Sequence, residues 1–136
     1  MARVSIDQQT HGYYQQVSEK RGDVPPLFPT MKDAFMYHFA LGVRNGVRES
    51  LGKKVDVFQT DVLKADDAAL IRAVYLRESG DIMSLDAGEG ETKIPEPALE
   101  MAEEFANAGA ELARRAFSPV KPEESLSYIL LDPNAV

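Results

Sequence analysis

The sequence contains no cysteine. This absence excludes disulfides, thiolate metal sites, iron–sulfur clusters and cysteine nucleophiles, and it fits a reducing compartment. No apolar run approaches the roughly 20 residues that a bilayer-spanning helix needs. The first ten residues, MARVSIDQQT, are too polar for a signal peptide. We therefore expect a cytoplasmic protein with no membrane contact.

Histidine is also scarce, since only His11 and His38 occur in 136 residues. A serine nucleophile needs a base within hydrogen-bonding distance, and that base is nearly always a histidine. His38 lies among Phe35, Phe39 and Leu41 in an apolar helical pattern, which favours a core or interface role over catalysis. The sequence thus offers no catalytic constellation, and we expect a protein that is not an enzyme.

The acidic residues do not indicate a metal or cofactor site. Those between residues 81 and 91 match no calcium-loop spacing, and the nearby glycines are not followed by the GK[ST] of a phosphate-binding loop. Glu103 and Glu104 lie on a predicted helix, where hydrated surface charge accounts for them. We therefore expect neither a metal ion nor a cofactor.

The charge of the chain is unevenly distributed. The net charge is −7; residues 1–60 hold 8 basic and 6 acidic side chains, whereas residues 61–136 hold 7 basic and 16 acidic side chains. An acidic domain repels the nucleic-acid backbone on average, and an acidic face suits docking to a basic protein. A third interpretation is that the acidic half mimics DNA and occupies a nuclease.

One basic patch opposes this trend, between residues 44 and 54. Four cations in eleven residues could hold one or two phosphates, although solvated loops commonly have this composition. No aromatic residue lies between them, which argues against single-strand binding through base stacking. DNA contact is therefore the second hypothesis, and its candidate residues are Arg44, Arg48, Lys53 and Lys54.

Three helices are indicated by their ends. Thr30 is a good N-cap with Asp33 three residues later, and Asn45-Gly46 ends that helix. A helix over 61–78 has an apolar stripe and ends at Gly80, and a third helix runs over 96–117 between prolines. The stripe of the second helix consists of Leu70, Ile71, Val74 and Tyr75.

The remaining segments are less regular. Residues 4–20 are predicted to form a weak helix, and the prolines that follow form an extended linker. Residues 55–59 alternate too briefly for a strand. We therefore predict an all-α, single-domain bundle of about four helices with a long acidic, glycine-containing loop. Its parts are 1–29 (weak helix and linker), 30–117 (helical core) and 118–136 (proline-containing tail).

The helix over 96–117 carries a seam of mostly small residues at alternating spacings of four and three. Small residues let another helix approach closely. The covering element is either the helix that begins after Thr30 or a second copy of the chain, and we favour the intramolecular contact. The seam consists of Ala98, Ala102, Phe105, Gly109, Leu112 and Ala116.

Three blocks of the sequence resemble the family called DNA phosphorothioation-associated protein 4, or Dnd system-associated protein 4. The second block, LIRAVYLRESGDIMSL at 70–85, is similar to the second family helix, and EFANAG at 104–109 is similar to the closing helix. The first block is FPTMKDAFMYHFALGVRNGVRESL at 28–51. The resemblance there is carried by Phe28, Thr30, Met31, Asp33, Phe35, Met36, Ala40, Leu41, Gly42, Arg44 and Arg48.

This resemblance implies context more than chemistry. Such proteins are accessory members of prokaryotic defence systems that modify DNA with backbone sulfur, or of related restriction systems, and no catalytic residues are attached to the family. We therefore expect a non-enzymatic adaptor whose partners are other protein components of that system. DNA contact through the basic patch and occupation of a nuclease by an acidic DNA mimic are the alternatives.

Overall fold

The computed structural model describes residues 3–19, 25–80 and 94–117. The predicted acidic loop and the tail lie outside these residues. Within them the chain forms two strands, four α-helices and one short 3₁₀ helix. The elements are β1 (Arg3–Asp7), α1 (Gln8–Ser18), α2 (Met31–Asn45), β2 (Lys54–Gln59), the 3₁₀ helix (Thr60–Val62), α3 (Ala65–Ser79) and α4 (Glu96–Phe117).

The fold is mostly helical but not all-α, because β1 and β2 form a small antiparallel sheet. Val4 pairs with Phe58 and Ile6 with Val55, with an irregular register after Val4. Two predictions were therefore wrong: residues 4–20 begin with a strand before the helix, and residues 55–59 are a strand. Each strand is short, so its conformation depends on pairing with a distant segment that local periodicity does not reveal.

Asp7 joins the sheet to the first helix. Its Oδ1 atom accepts a hydrogen bond from the Gln9 amide at 2.8 Å, which caps α1. Its Oδ2 atom accepts one from the Gly52 amide at 2.7 Å. One buried carboxylate thus starts α1 and holds the segment that leads into β2.

The predicted N-cap of α2 and the predicted glycine stops of α2 and α3 are confirmed, whereas α3 begins at Ala65 and not at residue 61. Thr30 Oγ1 accepts a hydrogen bond from the Asp33 amide at 3.2 Å at the start of α2. Gly46 and Gly80 follow α2 and α3 with φ angles of 66° and 68°, the left-handed conformation that glycine adopts at little cost. Local chemistry therefore fixes where these helices stop.

The orientation of α3 differs from the prediction at one residue. Ile71 and Val74 are buried as predicted, but Leu70 is 46% exposed. The buried face of α3 is centred on Ile71, with Ala68 and Val74 three residues to either side. Successive residues of a helix lie about 100° apart, so Leu70 lies at the edge of this face, towards solvent. Leu70 is therefore a surface residue and not part of the core.

The centre of the molecule is the crossing of α2 and α4, the most extensive contact between two elements. A Cβ atom at Gly109 would overlap the carbonyl oxygen of His38, and one at Gly42 would overlap that of Phe105. The two backbones touch because neither glycine has a side chain. The core begins at Val4, upstream of the predicted boundary at residue 30, and it includes Tyr14 of α1.

Candidate functional site

The segment between α2 and β2 carries Arg48 and Lys53 of the predicted basic patch and is hydrogen-bonded to α4. The Glu49 amide donates to the Glu104 carbonyl oxygen at 3.1 Å. The Asn107 side-chain amide donates to the carbonyl oxygens of Glu49 and Ser50 at 3.2 and 3.3 Å. The first and third blocks of the resemblance therefore meet here, and Asn107 holds them together.

The basic patch does not form a single cationic surface. Arg48 forms an ion pair with Glu104 and lies 5.4 Å above the ring of Phe105, and Lys54 lies 3.7 Å from Glu103. Arg44 and Lys53 are exposed, and neither forms an ion pair with another described residue. Carboxylates of α4 thus neutralise two of the four predicted phosphate-binding residues.

Glu103 is a buried carboxylate, and its burial was not predicted from the sequence. It was expected as hydrated surface charge, but it is 5% exposed and accepts a hydrogen bond from the Ser5 amide at 2.7 Å. Burial raises the pKa of this carboxyl, and the Ser5 amide and Lys54 oppose that shift. The available signal was helical spacing, because residue 103 lies four after buried Leu99.

A small pocket opens beside this carboxylate. Its volume is about 110 Å³, enough for a few water molecules and too small for a nucleotide. The pocket carries three carboxylates and one ammonium group, so its charge is unfavourable for a phosphate. The lining residues are Ser50, Leu51, Lys54, Glu100, Glu103 and Glu104.

His38 is a core residue, as the sequence predicts. It is fully buried, and its Nε2 atom shares a hydrogen bond of 2.8 Å with the Tyr13 hydroxyl. Rings of Tyr14, Phe28 and Tyr37 surround the imidazole. Burial lowers the pKa of His38 to about 3, so the ring is neutral near pH 7. The imidazole is shielded from solvent and cannot reach an external substrate in this conformation.

The predicted seam of α4 faces the interior. Ala98, Ala102 and Phe105 are buried, Gly109 touches α2, and Leu112 and Ala116 are partly buried against the core. Phe39 of α2 packs edge-on against Phe105, with ring centres 6.2 Å apart. In this arrangement α2 of the same chain lies against the seam.

The side of α2 opposite α4 is only partly exposed, because Met36 and Val43 on this side pack against the core. Five residues at helical spacing follow this side and continue just past its C-terminal end; we call them the outer stripe of α2. Met36 and Val43 are partly buried, Val47 is 38% exposed, and the remaining two residues are exposed. The stripe consists of Met36, Ala40, Val43, Arg44 and Val47.

Among residues 3–19, 25–80 and 94–117, no three side chains of histidine, aspartate or glutamate are grouped as metal ligands. In the same part of the chain, no helix combines the length and the apolar character that crossing a membrane requires.

Comparison with known proteins assigns the chain to a family. The family model of DNA sulphur modification system-associated protein 4 matches residues 3–135. The chain therefore belongs to this family, which confirms the resemblance, and the family name associates it with a DNA sulphur modification system. Searches of curated proteins and of solved structures found no match.

Proposed function

We propose that this member of the family is a non-enzymatic adaptor that docks another protein component of the sulphur modification or restriction system on the outer stripe of α2. One observation carries the proposal. Of the residues that carry the resemblance in the first block, Ala40 and Arg44 are exposed, and neither side chain forms a hydrogen bond or an ion pair with another described residue. A family pattern that the fold does not require is best explained by an external contact.

The other residues of this block have structural tasks, which sharpens the contrast. Phe35 and Leu41 are buried, Thr30 caps α2, Gly42 allows the approach of α4, and Arg48 pairs with Glu104. Removing any of these features would disturb the fold before it disturbed a partner. Ala40 and Arg44 lie four residues apart, and therefore on the same side of α2.

The composition of the stripe fits a protein partner. Methionine and arginine are enriched in protein interfaces. The stripe has one charged group among four apolar residues, whereas a duplex-binding surface presents several cations to the phosphates. This argues for protein contact over DNA contact.

The two alternatives lose support from the ion pairs. DNA contact retains only Arg44 and Lys53 of its four candidates as unpaired cations among the described residues. A DNA mimic needs exposed, unpaired carboxylates. Glu103 is buried, and Glu104 and Glu111 pair with arginines, so among the described residues of the acidic half such carboxylates are reduced mainly to Asp61, Asp66, Glu96 and Glu100. Neither is therefore favoured by a specific observation.

The substitution Ala40→Arg separates protein docking from DNA contact. An arginine at this position adds a cation beside Arg44, so it would strengthen contact with phosphates while its bulk obstructs a protein partner. Tagged protein should be co-expressed with the products of the neighbouring modification and restriction genes, and the retained proteins identified by mass spectrometry. We expect Ala40→Arg to lose a component that the wild-type chain retains.

Gln16→Arg is the matched control, because Gln16 is exposed on α1 and gains the same charge. It should retain the partner. Fluorescence anisotropy with duplex DNA at low salt completes the test. If wild-type protein retains none of these products, or if Ala40→Arg retains them all and binds DNA more tightly than wild type, the adaptor proposal is wrong.

A further inference from the structure

Among residues 3–19, 25–80 and 94–117, the outer face of α3 is exposed. Leu70, Ala69 and Ala73 are all exposed, and Leu70 is one of three large apolar residues on the surface of the described chain. Isolated exposed leucines are common and need no explanation. Here, however, Leu70 lies between an acidic residue, Asp66, and a basic residue, Arg77, and this arrangement indicates what kind of surface could pack against it.

The spacing of this pattern is symmetric, and the residues at its two ends are complementary in charge. Asp66, Leu70, Ala73 and Arg77 follow one another at spacings of four, three and four, so they form one stripe that is symmetric about a point between residues 71 and 72. A twofold axis through that point would place two copies of α3 antiparallel. Leu70 would then lie over the small Ala73 of the other copy, and Asp66 would face its Arg77.

The charged residues at the two ends are available for this contact. All ion pairs described for the structure leave Asp66 unused, although its Oδ1 accepts a hydrogen bond from the Asp67 amide at 3.0 Å. The Arg77 side chain is 60% exposed, and its one ion-pair contact with another described residue is with neighbouring Glu78 at 3.9 Å. Antiparallel helices also bring each acidic first turn beside a basic last turn, which the helix dipoles favour.

We propose that α3 is a self-association surface on which a second copy of the chain docks antiparallel, through Leu70 against Ala73 and Asp66 against Arg77. A second copy is favoured over an unrelated partner because the stripe complements itself in both size and charge. The α4 seam is not a competing surface, since α2 already lies against it. This inference uses α3 alone and is independent of docking on α2.

The proposed contact covers about three helical turns, so the association is weak and concentration-dependent. Analytical ultracentrifugation of the full chain between about 10 µM and about 1 mM covers the range expected for such an interface. We expect a monomer–dimer equilibrium within this range. A chain that stays monomeric throughout would overturn the proposal.

Charge reversal tests the antiparallel arrangement. In Asp66→Arg, each new arginine faces Arg77 of the other copy, and in Arg77→Asp each new aspartate faces Asp66. Because two attractive pairs become repulsive in either variant, the dimer dissociation constant should rise about tenfold. An equimolar mixture of the two variants restores both attractive pairs in a heterodimer, and association should return towards the wild-type level.

Circular dichroism establishes that each variant is folded. The mixture keeps the test valid even if one variant alone is less stable, because a loss of association caused by unfolding would not be restored by mixing. Lys53→Asp is the control, because Lys53 is exposed and undergoes the same charge change as Arg77→Asp. It should leave dimerisation unchanged. If neither single variant weakens association, or if the mixture does not restore it, the antiparallel contact is refuted.

Discussion

Replacing Gly109 with alanine tests the closest contact in the fold. In an exposed helix interior this change stabilises a protein by about 0.5–1 kcal/mol, because alanine restricts the unfolded chain. At Gly109, however, the new methyl group would overlap the His38 carbonyl oxygen and lie 2.8 Å from its carbonyl carbon. We therefore expect the sign of the effect to reverse.

The size of the loss follows from what must move. Nonbonded carbon atoms normally lie about 3.5–4.0 Å apart, so α2 and α4 must separate by about 1 Å or more. The obstacle is backbone, including the Gly42 nitrogen at 3.0 Å, so no side-chain rotation can relieve it. Overpacking of this kind costs about 1–3 kcal/mol, and loosening Phe39 against Phe105 adds to it. The weakened ring contact roughly offsets the gain from restricting the unfolded chain, so we expect a net loss of about 1–3 kcal/mol.

Urea unfolding followed by circular dichroism measures this loss, and Gly12→Ala is the matched control. Gly12 lies inside α1, and a Cβ atom there would have no neighbour within 4 Å. Gly12→Ala should therefore be more stable than wild type and Gly109→Ala less stable. If the two variants gain stability equally, the helices do not approach as described. If Gly109→Ala instead dissociates a dimer without changing the melting temperature, the seam is a subunit interface.

Two further predictions concern buried titratable groups. Acidification should destabilise the protein between about pH 6.5 and pH 3 by up to about 1.4 kcal/mol per pH unit, because the unfolded chain protonates a histidine that burial keeps neutral. His38→Gln should lose this part of the pH dependence in urea titrations, and an unchanged slope would contradict it. Glu103→Gln keeps an acceptor for the Ser5 amide and should change the free energy of unfolding by less than about 1 kcal/mol, whereas Glu103→Ala should cost about 1–3 kcal/mol. Equal losses in the two glutamate variants would refute this role for the side-chain oxygen.

The helices were predictable where their signals are local. Thr30, Gly46 and Gly80 act within one turn of their own helix ends, so the neighbouring sequence is enough to predict where these helices begin or end. The strands were not predictable in this way. Ser5 and Asp56 are paired across the sheet, and that pairing exists only after a chain reversal of about fifty residues.

The same distinction explains the candidate site. The sequence shows that four cations lie between residues 44 and 54. It does not show that Arg48 and Lys54 form ion pairs with Glu104 and Glu103 of α4. Glu103 is itself buried because β1 supplies the Ser5 amide, 98 positions away in the chain. Charge counted along a sequence gives the composition of a patch, and only the fold determines which of its charges remain available.

Three consecutive residues of α2 show how one helix can serve both the fold and a partner. Successive side chains turn by about 100°, so Ala40, Leu41 and Gly42 point in different directions. Leu41 is buried in the core, Gly42 touches the backbone of Phe105, and Ala40 is exposed on the outer stripe. Substitutions at Leu41 and Gly42 must therefore act first on stability, whereas a substitution at Ala40 is expected to affect the proposed docking without disturbing the core. Because α4 fixes the inner side of α2 through backbone contact, the outer stripe is held on a rigid support, which lowers the entropy that a partner must overcome on binding.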